Sequence, residues 1–366
     1  MELGKLADII KGVTYAKSDQ AVEPTETVVL TADNITLDGR FELKKEVYLH
    51  ESFTVSEEKR LKKNDIFMCF SSGSKEHLGK VAFIENDTNF LAGGFMAIIR
   101  AKEEIIPKYL FQLLNTVFRQ TIRNIGSGSN INNLSSVINA IQIPLPPKEI
   151  QQKIVSEIET LEKKENHAKE ILEKGKEQIK KIITGINGDY KKIRDLCKYS
   201  NNKIDVISLT SQNYIGVDNM LQNMMGKTDS NFVPTSGTAT EYNAGDILLS
   251  NIRPYLKKIW YADSNGGCSN DVLVLQKISK NDDSKYIFYN LRQDNFFDYE
   301  MQVTKGVKMP RGDKQHILDY RIPVPPLSEQ QKIVSKIEQI ETQLQNMREE
   351  IEQLSNQKGL ALKKYL

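Results

Sequence analysis

The chain writes one phrase twice. "IPLPPKEIQQKIVSEIETLE" runs from Ile143 to Glu162 and "IPVPPLSEQQKIVSKIEQIE" from Ile322 to Glu341, and the offset 322 − 143 = 179 carries Gln151-Gln152-Lys153-Ile154-Val155-Ser156 onto Gln330-Gln331-Lys332-Ile333-Val334-Ser335 without a gap. Such a match constrains the chain to two copies of one unit. The proline pairs, Pro146-Pro147 and Pro325-Pro326, hold extended backbone and disfavour helix in the residue before them, whereas a proline in the first turn of a helix costs nothing. Each copy therefore predicts a strand, a stop and a helix. Ser328 stands three residues before Gln331, the spacing of a capping box, and its counterpart Glu149 is the poorer cap.

Past the prolines both copies become charged helices with apolar residues at alternating steps of four and three. Ile333, Ile337, Ile340, Leu344, Met347, Ile351 and Leu354 keep an a/d stripe, the pattern of a coiled-coil seam. Subtracting 179 lands on Ile154, Ile158, Leu161, Glu165, Ala168, Leu172 and Gly175, and the first seam resumes at Ile179 and Ile182. The small or polar entries would leave gaps between two identical helices, so the spacing favours pairing the two helices with each other. A plain amphipathic helix packed on its own domain is the alternative. Each run, however, extends for ~57 Å at 1.5 Å per residue, more than a small domain covers.

The repeat continues upstream. Thr31-Ala32-Asp33-Asn34 falls on Thr210-Ser211-Gln212-Asn213 at the same 179, and "KKNDIFMCF" from Lys62 resembles "NAGDILLSN" from Asn243 at 181. In each half a short strand (66–70, 247–249), a polar loop, a second strand (80–84, 258–262), a glycine pair, a third strand (95–99, 272–275) and a helix (107–123, 284–299) are predicted. The expected fold class is α/β, with two mixed α/β globules joined by two long helices that pair with each other, an internal repeat. The expected boundaries are 1–147 and 188–326 for the globules and 148–187 and 327–366 for the helices.

The polar loops carry the candidate binding residues. "SSGSKEHLGK" (71–80) and "SNIRPYLKK" (250–258) occupy the same place in the two halves, as do "RNIGSGSNINN" (123–133) and "TKGVKMPRGDK" (304–314). Arg and Asn present donors that match base edges, while Lys, Ser and backbone N–H groups suit phosphate oxygens. A Gly/Ser/Asn loop with lysines is also an ordinary surface turn, but the recurrence of both loops in both halves favours binding. The candidates are Ser74, Lys75, Lys80, Arg123 and Asn130 in the first half, and Asn251, Arg253, Tyr255, Lys257, Lys258, Lys308 and Arg311 in the second.

Other chemistry finds no support. "LQNMMGKT" (221–228) ends like a phosphate-binding loop but has Leu221 where the first glycine is required, and no G-x-S-x-G, H-E-x-x-H or G-x-G-x-x-G occurs. Cys69, Cys197 and Cys268 have neither disulfide nor zinc spacing and read as structural. The four histidines, His50, His77, His167 and His316, are scattered. No catalytic residue, cofactor or metal is therefore expected. A composition of 39% hydrophobic and 27% charged residues is that of a globular protein, the net charge of +2 excludes no partner, and no apolar run suits a membrane span. The expected address is the cytoplasm.

"GDILLSNIRPYLKKIWYA" from Gly245 and the doubled I-P-x-P-P-x-x-x-Q-Q-K-I-V resemble the specificity subunit of type I restriction-modification systems over essentially the whole chain. The resemblance implies a non-catalytic subunit in which each globule is a target-recognition domain for one half of a split double-stranded DNA sequence. It implies that the two long helices form an antiparallel coiled coil that sets the gap and makes the repeat pseudo-twofold, that two modification subunits carrying S-adenosylmethionine dock near the proline pairs and helices, and that restriction subunits can join. One departure is that the first loop lacks the Arg-Pro-Tyr of the second. A scaffold whose globules bind peptides is the alternative from another class.

Overall fold

The structure is a computed structural model and describes residues 1–74, 76–119, 121–122, 132–135, 137–304 and 309–365. Two compact units divide the chain, one of Met1–Lys169 with Glu349–Leu366 and the other of Glu170–Arg348.

In the first unit the strands are β1 (Ala7–Lys11), β2 (Thr27–Leu30), β3 (Val47–Leu49), β4 (Ile66–Cys69), β5 (Ser71–Ser72), β6 (Val81–Phe83), β7 (Leu91–Ala92), β8 (Met96–Ala101) and β9 (Asn132–Asn133). An antiparallel sheet has the order β1-β8-β4-β6, and a smaller sheet, β3-β2-β7, joins β2 and β7 in parallel. The apolar run of β4 is buried on both faces because its side chains alternate between two cores. Ile66 and Met68 enter the core shared with the helix Pro107–Asn115, while Phe67 and Cys69 enter the core shared with Leu30 of the small sheet.

The second unit holds β10 (Asp189–Lys192), β11 (Cys197–Tyr199), β12 (Lys203–Asp205), β13 (Tyr214–Ile215), β14 (Thr238–Tyr242), β15 (Ile247–Ser250), β16 (Ile259–Tyr261), β17 (Gly266–Cys268), β18 (Val272–Lys277) and β19 (Arg321–Val324). Its main sheet, β11-β18-β15-β16, repeats the order β1-β8-β4-β6, and β13 pairs in parallel with β17 as β2 does with β7. Ile247 and Leu249 face the helix side and Leu248 the small-sheet side, so the two-core plan is also repeated.

Local expectations change in several places, beginning with the helix expected at 107–123, which ends at Asn115 and gives way to a turn. The helix expected at 284–299 breaks into Ser284–Leu291 and Asp294–Met301, because the Gln293 side chain turns back to donate to the carbonyls of Tyr289 and Arg292 and so ends the first segment. In the first copy the strand before the prolines is reduced to one bridge, Glu2 to Gln142, flanked by bonds from Leu3 N–H to the Ile141 carbonyl and from Ile143 N–H to the Met1 carbonyl. The second copy has the full pairing of β10 with β19. Ser328 lies inside the helix Leu327–Tyr365, so it is not the cap. That helix starts on the carbonyl of Pro326, which accepts from the N–H groups of Glu329 and Gln330, and the helix Lys148–Thr184 starts likewise on Pro147.

The long helices pair antiparallel within each unit. In the first unit Glu165 bonds Lys358 and Glu157 bonds Tyr365, so rising numbers on one helix meet falling numbers on the other. In the second unit Gly175 leaves room for Leu344, whose Cδ2 lies 2.5 Å from where a Cβ on Gly175 would stand, with Ile340 beside it. Ile179 and Ile183 there share a core with Ile333, Val334 and Ile337. The seam entry at the end of the first helix is thus Ile183 in the buried position, with the expected Ile182 half-buried.

Candidate nucleic-acid interface

Each unit opens a cleft at the same place in its topology. In the first unit a cleft of about 460 Å³ lies between the turn after β2 (Thr31, Ala32, Asp33), the serine segment Ser71–Gly73 and the glycine pair Gly93-Gly94 with Phe95. In the second a cleft of about 700 Å³ lies between the turn after β13 (Gly216 to Asn219), Ile252 and Arg253, and Ser269 after β17. Equivalent loops therefore line both. The counterpart of Thr31–Asn34 is Gly216–Asn219, where Gly216 N–H donates to Asn219 Oδ1 as Thr31 N–H does to Asn34 Oδ1, rather than the Thr210–Asn213 that the offset of 179 predicts.

Backbone pairing brings the two candidate loops of each half together. Ser71 and Ser72 of β5 pair with Asn133 and Asn132 of β9, and Ile252 bridges to Arg311. In the second unit the Arg-Pro-Tyr turn is held in a costly conformation. Arg253 and Lys257, at its two ends, both have φ 52°, in the left-handed region that costs an ordinary L-residue ~1–2 kcal/mol. The turn is braced from three sides: Arg253 N–H donates to the Pro310 carbonyl at 2.7 Å, Asn223 N–H to Leu256 and Met224 N–H to Lys257, and the Lys257 ammonium pairs with Asp294. Arg253 and Tyr255 emerge exposed from this frame, Tyr255 by 49%.

Several candidate cations are used internally. Lys80 is 3% exposed and donates to the carbonyls of Ala32 and Ile35 at 2.8 and 2.6 Å, while Lys258 is 8% exposed and donates to the Val217 carbonyl at 2.7 Å. Burial holds both ammonium groups below the usual lysine range. In each unit the buried lysine ties the strand loop to the turn that lines the cleft. Arg311 pairs with Asp271 at 2.8 Å, Asn251 is buried, and Ser74 is exposed. Lys75, Arg123, Asn130 and Lys308 lie outside the described residues.

Two aromatic residues that sequence reasoning passed over stand at the clefts: Phe95, 67% exposed, in the first, and Phe232, 70% exposed, in the second. The strand expected at 95–99 instead begins at Met96 as β8, and Phe95 sits on the turn before it. An aromatic directly after Gly93-Gly94, and one inside the polar run "TDSNFVPTSG", were the available signals. Lys45 in the first cleft and Met309 in the second were also missed. Burial pushes the thiol of Cys69 up to about 11 and those of Cys197 and Cys268 to about 12, so they are inert packing residues. Among the described residues there is no cluster of metal-ligating side chains and no helix long and apolar enough to cross a membrane.

A family model, the type I restriction modification DNA specificity domain, matches residues 1–181 and again residues 186–356. The chain belongs to that family. Among relatives, it is 30% identical over 158 residues to the specificity subunit of the type I restriction enzyme StySPI from Salmonella potsdam, a match covering 42% of this chain and 34% of that protein. Similarity to the putative MjaX specificity subunit of Methanocaldococcus jannaschii is 25% over 318 residues, covering 78% of this chain and 73% of the relative. The chain thus spans about a third of the first relative's length in the aligned part. The crystal structure of a type I restriction-modification S subunit from M. genitalium superposes with a TM-score of 0.57 at 14% identity, covering 100% of this chain and 95% of that one, which shows the shared fold. The double match of the family model follows the doubled strand order.

Proposed function

We propose that the chain is the non-catalytic reading subunit of a type I restriction-modification complex, each unit reading one half of a split double-stranded DNA target through its cleft. The observation that carries this is the matched pair of clefts, each built from the same three loops and each rimmed by an exposed phenylalanine, in a chain of the specificity family. In the second unit Arg253 is the base-reading candidate, since a guanidinium can grip a guanine edge with two hydrogen bonds. Tyr255 and Phe232 supply flat apolar contact. In the first unit Phe95, Ser72, Ser74 and Lys45 play these parts, joined by Lys75, Arg123 and Asn130 in their loops, and Lys308 contributes a phosphate contact in the second. Lys80, Lys258, Lys257, Asn251 and Arg311 hold the loops in shape.

The partners in this reading are two modification subunits, which supply the methyl transfer, and restriction subunits, in the cytoplasm. Two separate reading units on one duplex leave the bases between their half-sites unread, so the expected target is two parts flanking a spacer. Methylome sequencing of cells with and without the gene tests the proposal. A methylated motif in two parts separated by unspecified bases, lost with the gene, is expected, and an unchanged methylome would refute it.

A further inference from the structure

Behind the Arg-Pro-Tyr turn the second unit buries a carboxyl group that the reading of DNA does not use. Glu300 is 0% exposed, and neither of its carboxyl oxygens has a hydrogen-bond partner. Asn251 Oδ1 is buried and unpartnered too. Both face one spot, because a Cβ built on Gly312 would stand 2.3 Å from Glu300 Oε1 and 3.0 Å from Asn251 Oδ1. Gly312 fills this gap with no side chain, and its N–H donates to the Asn251 carbonyl at 3.0 Å. Two acceptors cannot satisfy each other without a proton between them. Leaving both empty in the interior is costly.

We propose that Glu300 is carried as a neutral carboxylic acid that donates its proton to Asn251 Oδ1, a buried latch holding the Ser250–Lys258 turn against the Pro310–Asp313 segment. The charged and titratable groups around it are Tyr199, whose hydroxyl donates to the Lys314 carbonyl, Asp313, whose carboxylate accepts from the N–H groups of Gln315 and His316, and Arg311, whose guanidinium pairs with Asp271. None of them sets a cation on the Glu300 oxygens, and burial pushes that carboxyl up to about 8. Turning the Asn251 amide over would instead set Nδ2 against an ionised carboxylate, which responds differently to pH.

The latch makes Glu300 and Asn251 positioning residues, and its importance for DNA rests on the function proposed above. Its test needs no DNA. Hydrogen–deuterium exchange of the full chain, corrected for intrinsic exchange, is followed from pH 6 to 9.5 for the peptides covering 250–258 and 310–313. Opening the latch lets Glu300 ionise at its ordinary value while the closed form keeps its proton. Protection of these peptides should therefore fall about ten-fold per pH unit up to about pH 8 and level off above it. In Glu300→Gln, whose amide donates at every pH, the profile should be flat, with protection at pH 8 at least ten-fold above wild type. Parallel profiles in the two proteins overturn the latch. If Glu300→Gln does not fold, the wild-type profile decides alone: a slope in these two peptides that is absent from β18 supports the latch, and a slope shared by β18 or missing from the two peptides overturns it. A sound latch in a complex that ignores DNA would defeat the proposed function and leave the latch standing.

Discussion

Gln151 accepts a hydrogen bond from the backbone N–H of Ile106 at 2.8 Å while its own amide donates to the Pro146 carbonyl at 2.9 Å. Gln330, at the matching position, accepts from Asp283 at 2.9 Å and donates to Pro325 at 2.9 Å. Tyrosines repeat the brace: Tyr109 donates to the Pro144 carbonyl and Tyr286 to that of Pro323. The doubled phrase therefore marks a joint at which a glutamine and a tyrosine clamp the proline turn to the start of a globule helix. Gln151 and Gln330 are each 1% exposed, whereas Gln152 and Gln331 are exposed.

That asymmetry sets the first expectation. Gln330→Ala leaves a buried N–H and a buried carbonyl unpaired and should cost ~1–3 kcal/mol. Gln331→Ala should stay within ~0.5 kcal/mol of wild type. Thermal unfolding of the purified variants measures both, and equal effects would dismiss the joint.

Acid should loosen the helix pair of the first unit. The Glu165 carboxylate, 9% exposed, is pushed up by burial but more strongly down by hydrogen bonds from Lys169 and Lys358, so that it ends below the usual carboxylate range. A folded-state value below the unfolded one contributes stability above the unfolded pKa, ~4.3, and loses it as pH falls through the folded value. Glu165→Gln should cost about 1–2 kcal/mol at pH 7, a charge-assisted pair discounted for the partly exposed lysines. The difference from wild type should shrink as the pH falls through the folded-state value and vanish once the carboxyl is protonated in both states, as a pH series of melting curves will reveal.

Gly175 should refuse a large side chain. A Cβ there would lie 2.5 Å from Leu344 Cδ2 and 3.4 Å from Ile340 Cγ2, so Gly175→Leu overpacks the seam of the second unit. A loss of ~1–3 kcal/mol is expected from forced repacking, and the paired change Gly175→Leu with Leu344→Ala should recover part of it. Denaturant unfolding of the single and double variants reads the coupling.

Lys80 offers a way to separate a brace from a phosphate contact. Lys80→Met frees the carbonyls of Ala32 and Ile35 and should weaken DNA retention by the assembled complex without altering its dependence on salt. A lysine on a phosphate would instead lower the slope of log affinity against log salt by about one. Affinity of the complex for its methylated-motif duplex between low and moderate salt distinguishes them.

What could be seen in the sequence followed from spacing. The offset of 179 located both long helices and their shared register, and the apolar runs of β4 and β15 located the central strands, because backbone periodicity is written residue by residue. The long-range uses of polar side chains were not visible. Lys80 and Lys258 looked like surface cations until the fold brought carbonyls to their ammonium groups, and Ser328 matched a capping box although the Pro326 carbonyl starts the helix. Gln293 breaks a helix that its neighbours' periodicity would continue. Phe95 escaped notice because an aromatic after two glycines also fits a strand.

The central claim is that each unit reads its own half of the target. Phe95→Ala in the first unit and Arg253→Ala in the second, each expressed with the modification subunits, are compared by methylome sequencing. Each variant should relax one position within one half of the methylated motif, a different half for each, at ~1–3 kcal/mol of lost discrimination. Relaxation of both halves by either variant, or of neither half by both, would contradict it.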